Sequence, residues 1–561
     1  MFFWMNYSCN SCYSWLICVP LALARSVSFQ LRTCFVTALY HDRGFLFTFD
    51  CSNATMNGLV ARIPEFFKRR FPMSRFTKLP VRAVVGLALA ALAMVAGRAL
   101  PAATGEYQTV RIDGVPFVRQ RPDFCGEACA EMALRKLGKR RDQDFVFNQA
   151  QLDPIEGRGC YTRDLARALT AIGFRIGSPW QRVEVKSADK EMEACFSALH
   201  ADLVAGIPSI VCTHFDDRPD ATEHFRLVLG YDAKTDEVIY HDPAIADGAY
   251  HRMKKPEFIK LWPLKYSSDA WTVVRFRLEP SKTIGSAATA SDPRFAGSRF
   301  TPADYAQHIL ALNKQLPENN GFTVVIQPPF VVIGDEAADT VRRRAENTVK
   351  WAVDHVKQSY FQRDPERILD IWLFRDKASY EKNTKEIFDD KPTTPYGYYS
   401  AVHRALIMNI STGGGTLVHE IVHPFMATNF PSCPSWFNEG LASLYEQSGE
   451  EHGRIHGYVN WRLPALQTAI KAKRVPPFET LCSTTTEQFY HEDPGTNYAQ
   501  ARYLCYYLQE QGLLEKYYRE FRANAAKDPT GYKTLESVLD ESDMAAFKNR
   551  WEAFVFKLVY D

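Results

Sequence analysis

Two histidines and a glutamate within five residues, His419, Glu420 and His423, have the types and spacing of a hydrolytic metal centre. Four residues apart on an α-helix, the two imidazoles project from one face, one turn above the other. Glu420 stands roughly 100° around the axis from His419. Two neutral imidazoles can hold a zinc ion, while the glutamate reaches past them to a water on the metal and takes its proton. Thr416, Leu417, Val418, Ile421 and Val422 make the helix largely apolar, so its ionisable groups sit in a dry setting where a metal is a natural partner. Glu439, sixteen positions after His423, lies on a second helical run, SWFNEGLASLYE, beyond a turn holding Pro431 and Pro434. That turn can bring its carboxylate back as a third ligand, leaving one position open for water. The competing reading of the five residues alone is an amphipathic helix with two surface histidines.

HEIVH followed by PSWFNEGLASLYE resembles the gluzincin metallopeptidases, in particular the bacterial peptidase-MA-like group with a W-x-x-E-G-L-A second helix. The resemblance implies Zn2+ as cofactor, His419, His423 and Glu439 as its ligands, and Glu420 as general base. It extends to TNYAQARYLCYYLQEQG, where such proteins carry a tyrosine in a Y-A-Q-A helix. Tyr498 is thereby implied as a hydrogen-bond donor to the oxyanion; the plainer role is a tyrosine packed in a core.

A second constellation begins in VPFVRQRPDFCGEACAEMALRKLG. Asp123 can cap a helix that starts at Cys125 and runs on through Ala128, Cys129, Met132 and Leu134. A cysteine in the first turn feels the positive end of the helix dipole, which favours thiolate. Gln120 is a candidate oxyanion donor. Far along the chain, EHFRLVLGYD reads as a strand led by His224, and DEVIYHDPA as the next strand, ending in Asp242. Antiparallel pairing would set these two side by side, the aspartate fixing the imidazole tautomer and the imidazole pairing with the thiolate. His241 points from the other face of that strand.

These pieces resemble the papain-like peptidase domain of the bacteriocin-processing, double-glycine leader family. The carriers are Q-x-x-x-x-C-G at Gln120 to Gly126, H-F at His224 and D-P at Asp242, within about 105–279, including the strand GIPSIVC and the helix RDLARALTAIGF. The resemblance implies Cys125 as nucleophile, His224 as base, Asp242 as orienting residue and Gln120 as oxyanion donor. Glu127 departs from it, standing where a small residue or Pro is usual, and no transporter domain follows. Other roles for Cys125 are a small core residue or half of a disulfide, with Cys129, Cys160, Cys195 and Cys212 as possible partners.

The elements that must position these residues fall into two units. A chain of 561 residues exceeds one hydrophobic core. Its net charge of +2 and lack of a basic stripe argue against nucleic acid as a partner. The fold expected is α+β in two domains: a papain-like fold over 104–279, then a mostly α zincin-like fold over 300–561 with a small N-terminal mixed sheet. Residues 280–299, rich in Ser, Ala, Gly and Thr, read as a linker. In the second unit FTVVIQ and FVVIG make a hairpin, residues 336–360 a long amphipathic helix, and RILDIWLF a buried strand. YGYYSAVHRALIMNI is a further hairpin, holding a surface His403, whose edge could align an extended peptide beside the metal.

Residues 1–72 read as a non-domain upstream extension, with the true start at Met73 or Met56. Residues 73–103 have a basic start (Arg75, Lys78, Arg82), an apolar stretch and small residues beyond it, the layout of a signal peptide or an uncleaved membrane anchor. The function expected is an exported bacterial peptidase, secreted or periplasmic, acting on peptide or protein through a zinc site and a Cys-His-Asp site. The alternative makes the papain-like half a non-catalytic peptide- or wall-binding module attached to the zinc peptidase.

Overall fold

The computed structural model describes residues 107–286, 292–316, 321–392 and 394–560, together with the backbone of five strands between Ser8 and Val60. Those five strands pair in chain order as an antiparallel sheet. The remainder of the expected upstream extension, and the whole signal or anchor segment 73–103, lie outside the described residues. Among the described residues no helix is long and apolar enough to cross a membrane. Ala103–Asp561 is one compact unit, described below.

Its first half is a seven-stranded antiparallel sheet flanked by helices. The strands are β1 (Val110–Arg111), β2 (Trp180–Glu184), β3 (Ser209–His214), β4 (Glu223–Asp232), β5 (Glu237–His241), β6 (His251–Lys254) and β7 (Ala270–Arg277), in the order β6-β5-β4-β3-β7-β2 with β1 on β4. Helices α1 (Cys125–Lys136), α2 (Gln143–Ala150) and α3 (Thr162–Ile172) cover one face; α4 (Ala188–Val204) covers the other. Alternation along β4 sorts the two cores: Phe225, Leu227 and Leu229 pack toward α1, and Val228 toward α4.

The second half opens with α5 (Pro302–Asn313), whose N-terminus is closed by a Thr301/Asp304 capping box. This helix joins the halves: Ala303 and Ala306 enter the core of the first, while Tyr305, Ile309 and Leu312 enter that of the second. Of the expected linker, residues 287–291 lie outside the described residues. Its ends are anchored, Ser281 N–H on Gly173 O at 3.0 Å and Phe295 buried in the second core.

A mixed five-stranded sheet follows, order β8-β9-β10-β12-β11, from β8 (Thr323–Gln327), β9 (Phe330–Gly334), β10 (Leu369–Phe374), β11 (Gly397–Ser400) and β12 (Ala405–Asn409). Both expected hairpins form, and β11 is the terminal strand. The expected long helix is α6 (Ala338–Arg344), a π-helical segment (Ala345–Lys350) and α7 (Trp351–Ser359), with Val341, Ala345, Val349, Ala352 and Val356 all buried.

Beyond the sheet come α8 (Gly415–Asn429) and α9 (Ser435–Leu444), which carry the candidate metal ligands. The rest is helical apart from one hairpin. Its parts near the ligands are α10 (Thr486–His491) and α11 (Pro494–Glu510), with α9 packed on α11. Two glycines permit close approaches there. A Cβ on Gly415 would run into the carbonyl oxygen of Glu446, and one on Gly440 would lie 3.0 Å from the carbonyl oxygen of Ala501. Arg502 of α11, fully buried, donates Nε to Ser443 O at 2.9 Å and Nη2 to Leu444 O at 3.3 Å, closing the C-terminal end of α9.

Candidate functional site

His419 and His423 stack one turn apart on α8, ring centroids 4.8 Å apart, and α9 returns Glu439 to them. One ligand atom from each of the three lies within 4.8 Å of the others. Glu439 Oε2 is 3.2 Å from His419 Nε2 and 3.8 Å from His423 Nε2, and it is buried with no hydrogen-bond partner. Two of the outward atoms are hydrogen-bonded and the third, His419 Nδ1, lies against a carboxylate without a hydrogen bond. His423 Nδ1 meets Asn438 Oδ1 at 3.1 Å, Glu439 Oε1 accepts from the Tyr490 hydroxyl at 2.5 Å, and His419 Nδ1 faces Glu446 Oε1 at 3.5 Å. Glu446 is itself clamped by Arg462, Nη2 to Oε1 at 2.6 Å, and by Asn460, Nδ2 to Oε2 at 3.0 Å. Such outer partners orient the ligands of a metal.

The electrostatics follow from this crowding. Burial disfavours the His419 imidazolium, but the Glu439 and Glu446 carboxylates outweigh it and hold its pKa up at about 10. Burial likewise opposes charge on Glu439, yet His423, His419 and the Tyr490 hydroxyl bring it down to about 2. Three ligand atoms that face one another, one of them a buried carboxylate oxygen with no hydrogen bond and the two imidazoles beside it, fit a cation. Glu420, half-buried, is pushed up by desolvation, with the two histidines pulling the other way. Pro424 lacks the N–H that would otherwise bond the Glu420 carbonyl within the helix.

Tyr498, half-buried on α11, is pushed up first by burial and then by the Glu439 charge; the Arg462 guanidinium lies 5.0 Å from its ring centroid. Tyr490, Glu446, Arg462 and Asn438 were not expected from the sequence. Only the Thr485/Gln488 capping box at the head of α10 could have marked the helix that brings Tyr490 in.

In the first half, β4 and β5 set His224 Nε2 2.8 Å from Asp242 Oδ1, both side chains buried. Arg226 Nε donates to the other oxygen, Asp242 Oδ2, at 2.9 Å. Burial opposes ionisation of Asp242, but His224 and Arg226 prevail and bring it to about 2. Gln120 is tethered beside this pair, its N–H on Pro243 O at 3.0 Å, with its Oε1 buried and unpartnered. His241 is held elsewhere, Nε2 at 3.1 Å from Val115 O and Nδ1 accepting from Tyr250 N–H. His403 is exposed.

Cys125 opens α1 as expected, but two expectations about it fail. Asp123 does not cap the helix. Its backbone is left-handed, φ 64°, and its carboxylate accepts from Gly159 N–H at 2.8 Å, so the N-cap position falls to Phe124 with no side-chain bond. Nor is the thiol acidified. Burial pushes it up to about 12; the Phe225 backbone bond opposes this, and the carboxylates of Glu127 and Asp123 add to it. A single helix dipole does not offset desolvation with two acids alongside. Among the described residues no hydrogen bond joins the thiol to His224. The imidazole shares a β4 face with Arg226, and the Phe215 ring lies 5.3 Å away. All eight cysteines from Cys125 onward are free thiols, so no disulfide forms among the described residues.

Cys125 lines a cleft of about 970 Å³ rimmed by Tyr161, Trp180 and Tyr266. Glu127, at the position that departs from the resemblance, is fully buried behind it. Its Oε1 accepts from Cys160 N–H at 2.7 Å, and burial raises it to about 7.

The molecule is thus a mixed α/β protein whose first half has a papain-like arrangement of helix, sheet and His-Asp pair. Residues 112–269 match the Peptidase_C39 like family. This segment holds Gln120, Cys125, His224 and Asp242, and the match supports a cysteine-peptidase-like region with a peptide as the implied substrate. No curated protein matches the chain.

Proposed function

We propose that the chain is an exported bacterial peptidase whose hydrolytic centre is the second half, with zinc held by His419, His423 and Glu439. One observation carries this: the three inward atoms converge, Asn438 and Tyr490 hold the outward atoms of His423 and Glu439, and Glu439 Oε2 is left buried without a hydrogen bond. A zinc ion held there supplies Lewis-acid polarisation of the scissile carbonyl and acidifies water. Glu420, its carboxyl raised by burial, takes the proton of the attacking water and delivers it to the leaving amine. Tyr498 lends a hydrogen bond to the developing oxyanion. An extended peptide pairs with the open edge of β11, which places its backbone along α8.

The test is metal analysis with a peptide digest. Wild type should carry one zinc per chain and cut peptides until a chelator is added; His419→Ala should lose both zinc and cutting. Zinc-free wild type that still cuts would refute the reading.

For the first half, the raised Cys125 thiol and its missing bond to His224 favour the second reading, a peptide-binding module. The half-exposed aromatics around the cleft, Tyr161 at 64%, Trp180 at 45% and Tyr266 at 68%, are surfaces for apolar side chains of a bound peptide. Export, to the periplasm or the medium with or without an anchor, rests on residues 73–103.

A further inference from the structure

The two carboxylate oxygens of Glu439 have different partners. Oε1 accepts the Tyr490 hydroxyl at 2.5 Å, whereas Oε2 is buried, unpartnered and directed at the two imidazoles. Resting on the zinc reading above, we propose that Tyr490 is a positioning residue that makes Glu439 a one-oxygen ligand and so keeps a coordination position free for water and substrate.

Carboxylates ligate through one oxygen or through both. A catalytic zinc works with three protein ligands and an open position, so a second Glu439 oxygen on the ion would compete with the reactants. Occupying Oε1 with a short hydroxyl bond prevents that. Asn438 and Glu446, which brace the other two ligands, come from α9 and the residues just after it, and move with Glu439's own helix. Tyr490 comes from α10, a separate element packed against α9 and α11. Its place is fixed from both ends. The Thr485/Gln488 capping box closes the helix start, and Asn497 Nδ2 donates to Phe489 O at 3.1 Å and Glu492 O at 2.6 Å at its end. Phe489, wholly buried, pins the adjoining side chain. The hydroxyl therefore reaches Glu439 from a separate helix, itself tied to the start of α9 by the Ser435 Oγ–Thr486 Oγ1 hydrogen bond at 3.0 Å.

The experiment compares wild type with Tyr490→Phe by zinc competition against a chromogenic chelator and by the visible spectrum of the cobalt(II)-substituted protein. Tyr490→Phe should still bind one metal per chain, with affinity lowered about tenfold or more. Its cobalt bands should weaken, as expected when Glu439 turns both oxygens to the ion and raises the coordination number. Thr485→Ala, which loosens α10 while keeping the tyrosine, should shift both readouts the same way by a smaller amount. Unchanged affinity and an unchanged cobalt spectrum in Tyr490→Phe would overturn the proposal while leaving the zinc reading intact. Wild type that takes up neither metal would overturn both.

Discussion

The two candidate centres are built by different geometric means. In the second half, one helix fixes two ligands by pitch alone, and a short turn returns the third on the helix that follows. In the first half, the nucleophile starts a helix while its intended partners lie on β4 and just past β5, about a hundred residues later. His224 alternates onto the β4 face shared with Arg226 and Val228, whereas Phe225 is the neighbour that faces α1. His224 and Asp242, on paired strands, do meet at 2.8 Å. Cys125, on a different element, has its thiol pushed up to about 12 by burial, with the Glu127 and Asp123 carboxylates adding to it. Contacts set by local pitch or strand register are secure; contacts between layers depend on everything packed in between.

The sharpest way to break this contrast is Glu420→Gln. If the metal centre is the hydrolytic one, the substitution should leave zinc bound and reduce chelator-sensitive peptide cleavage about a thousandfold or more. Cleavage retained in Glu420→Gln but lost on alkylating Cys125 would reverse the roles of the two halves. Next in size is Gly415→Ala. The added methyl meets the Glu446 carbonyl, and backbone at a helix start has little room to give. Overpacking of this kind costs about 2–3 kcal/mol, read in a urea titration. It should also weaken zinc, because Glu446 is the carboxylate behind His419. An alanine variant with wild-type midpoint and zinc affinity would show that this brace is not required.

The sequence was most legible where one element carried the pattern. HEIVH states its own geometry, and the turn residues before Ser435 made Glu439 a fair expectation. The strands and hairpins around the second sheet were legible from apolar runs. Tyr490 was not: it stands 67 positions after His423, and no period links α10 to α8. Tyr498 is marked in the sequence only by the Y-A-Q-A resemblance. Glu446 and Arg462 were missed for the same reason, an ion pair across elements leaving no mark on either. In the first half a helix start favours thiolate at Cys125, but burial of the thiol outweighs it and Glu127 adds to the effect; the position of Glu127 two residues on is visible in the sequence, and neither burial is.

The His224–Asp242–Arg226 cluster gives the next largest effect, in acid. Asp242 has a folded pKa near 2, below its unfolded value, so its pairing stabilises the fold fully above about pH 4 and is lost as pH falls toward 2. The contribution is about 2 kcal/mol by that linkage. The stability gap between wild type and Asp242→Asn should therefore narrow by about that amount between pH 6 and pH 2, measured by denaturant unfolding. A gap independent of pH would mean that Asp242 is not the ionised member of the cluster.

The smallest effect tests why the thiol is quiet. With Cys125 raised to about 12, its alkylation, followed by mass spectrometry of the peptide that carries it, should climb about tenfold per pH unit from pH 7 to 11. Glu127 titrates near 7, so above that pH it adds a buried negative charge two residues from the sulfur, and thiolate formation is opposed by it. Glu127→Gln keeps the shape and the acceptor for Cys160 N–H but removes the charge. Alkylation of Cys125 at pH 9 should then rise about two- to fourfold, with little change at pH 6, where the carboxyl is already largely protonated. Equal acceleration at both pH values would point to opened access rather than charge. A wild-type midpoint below pH 7 would mean that the thiol is activated after all, and the asymmetry between the two halves would disappear.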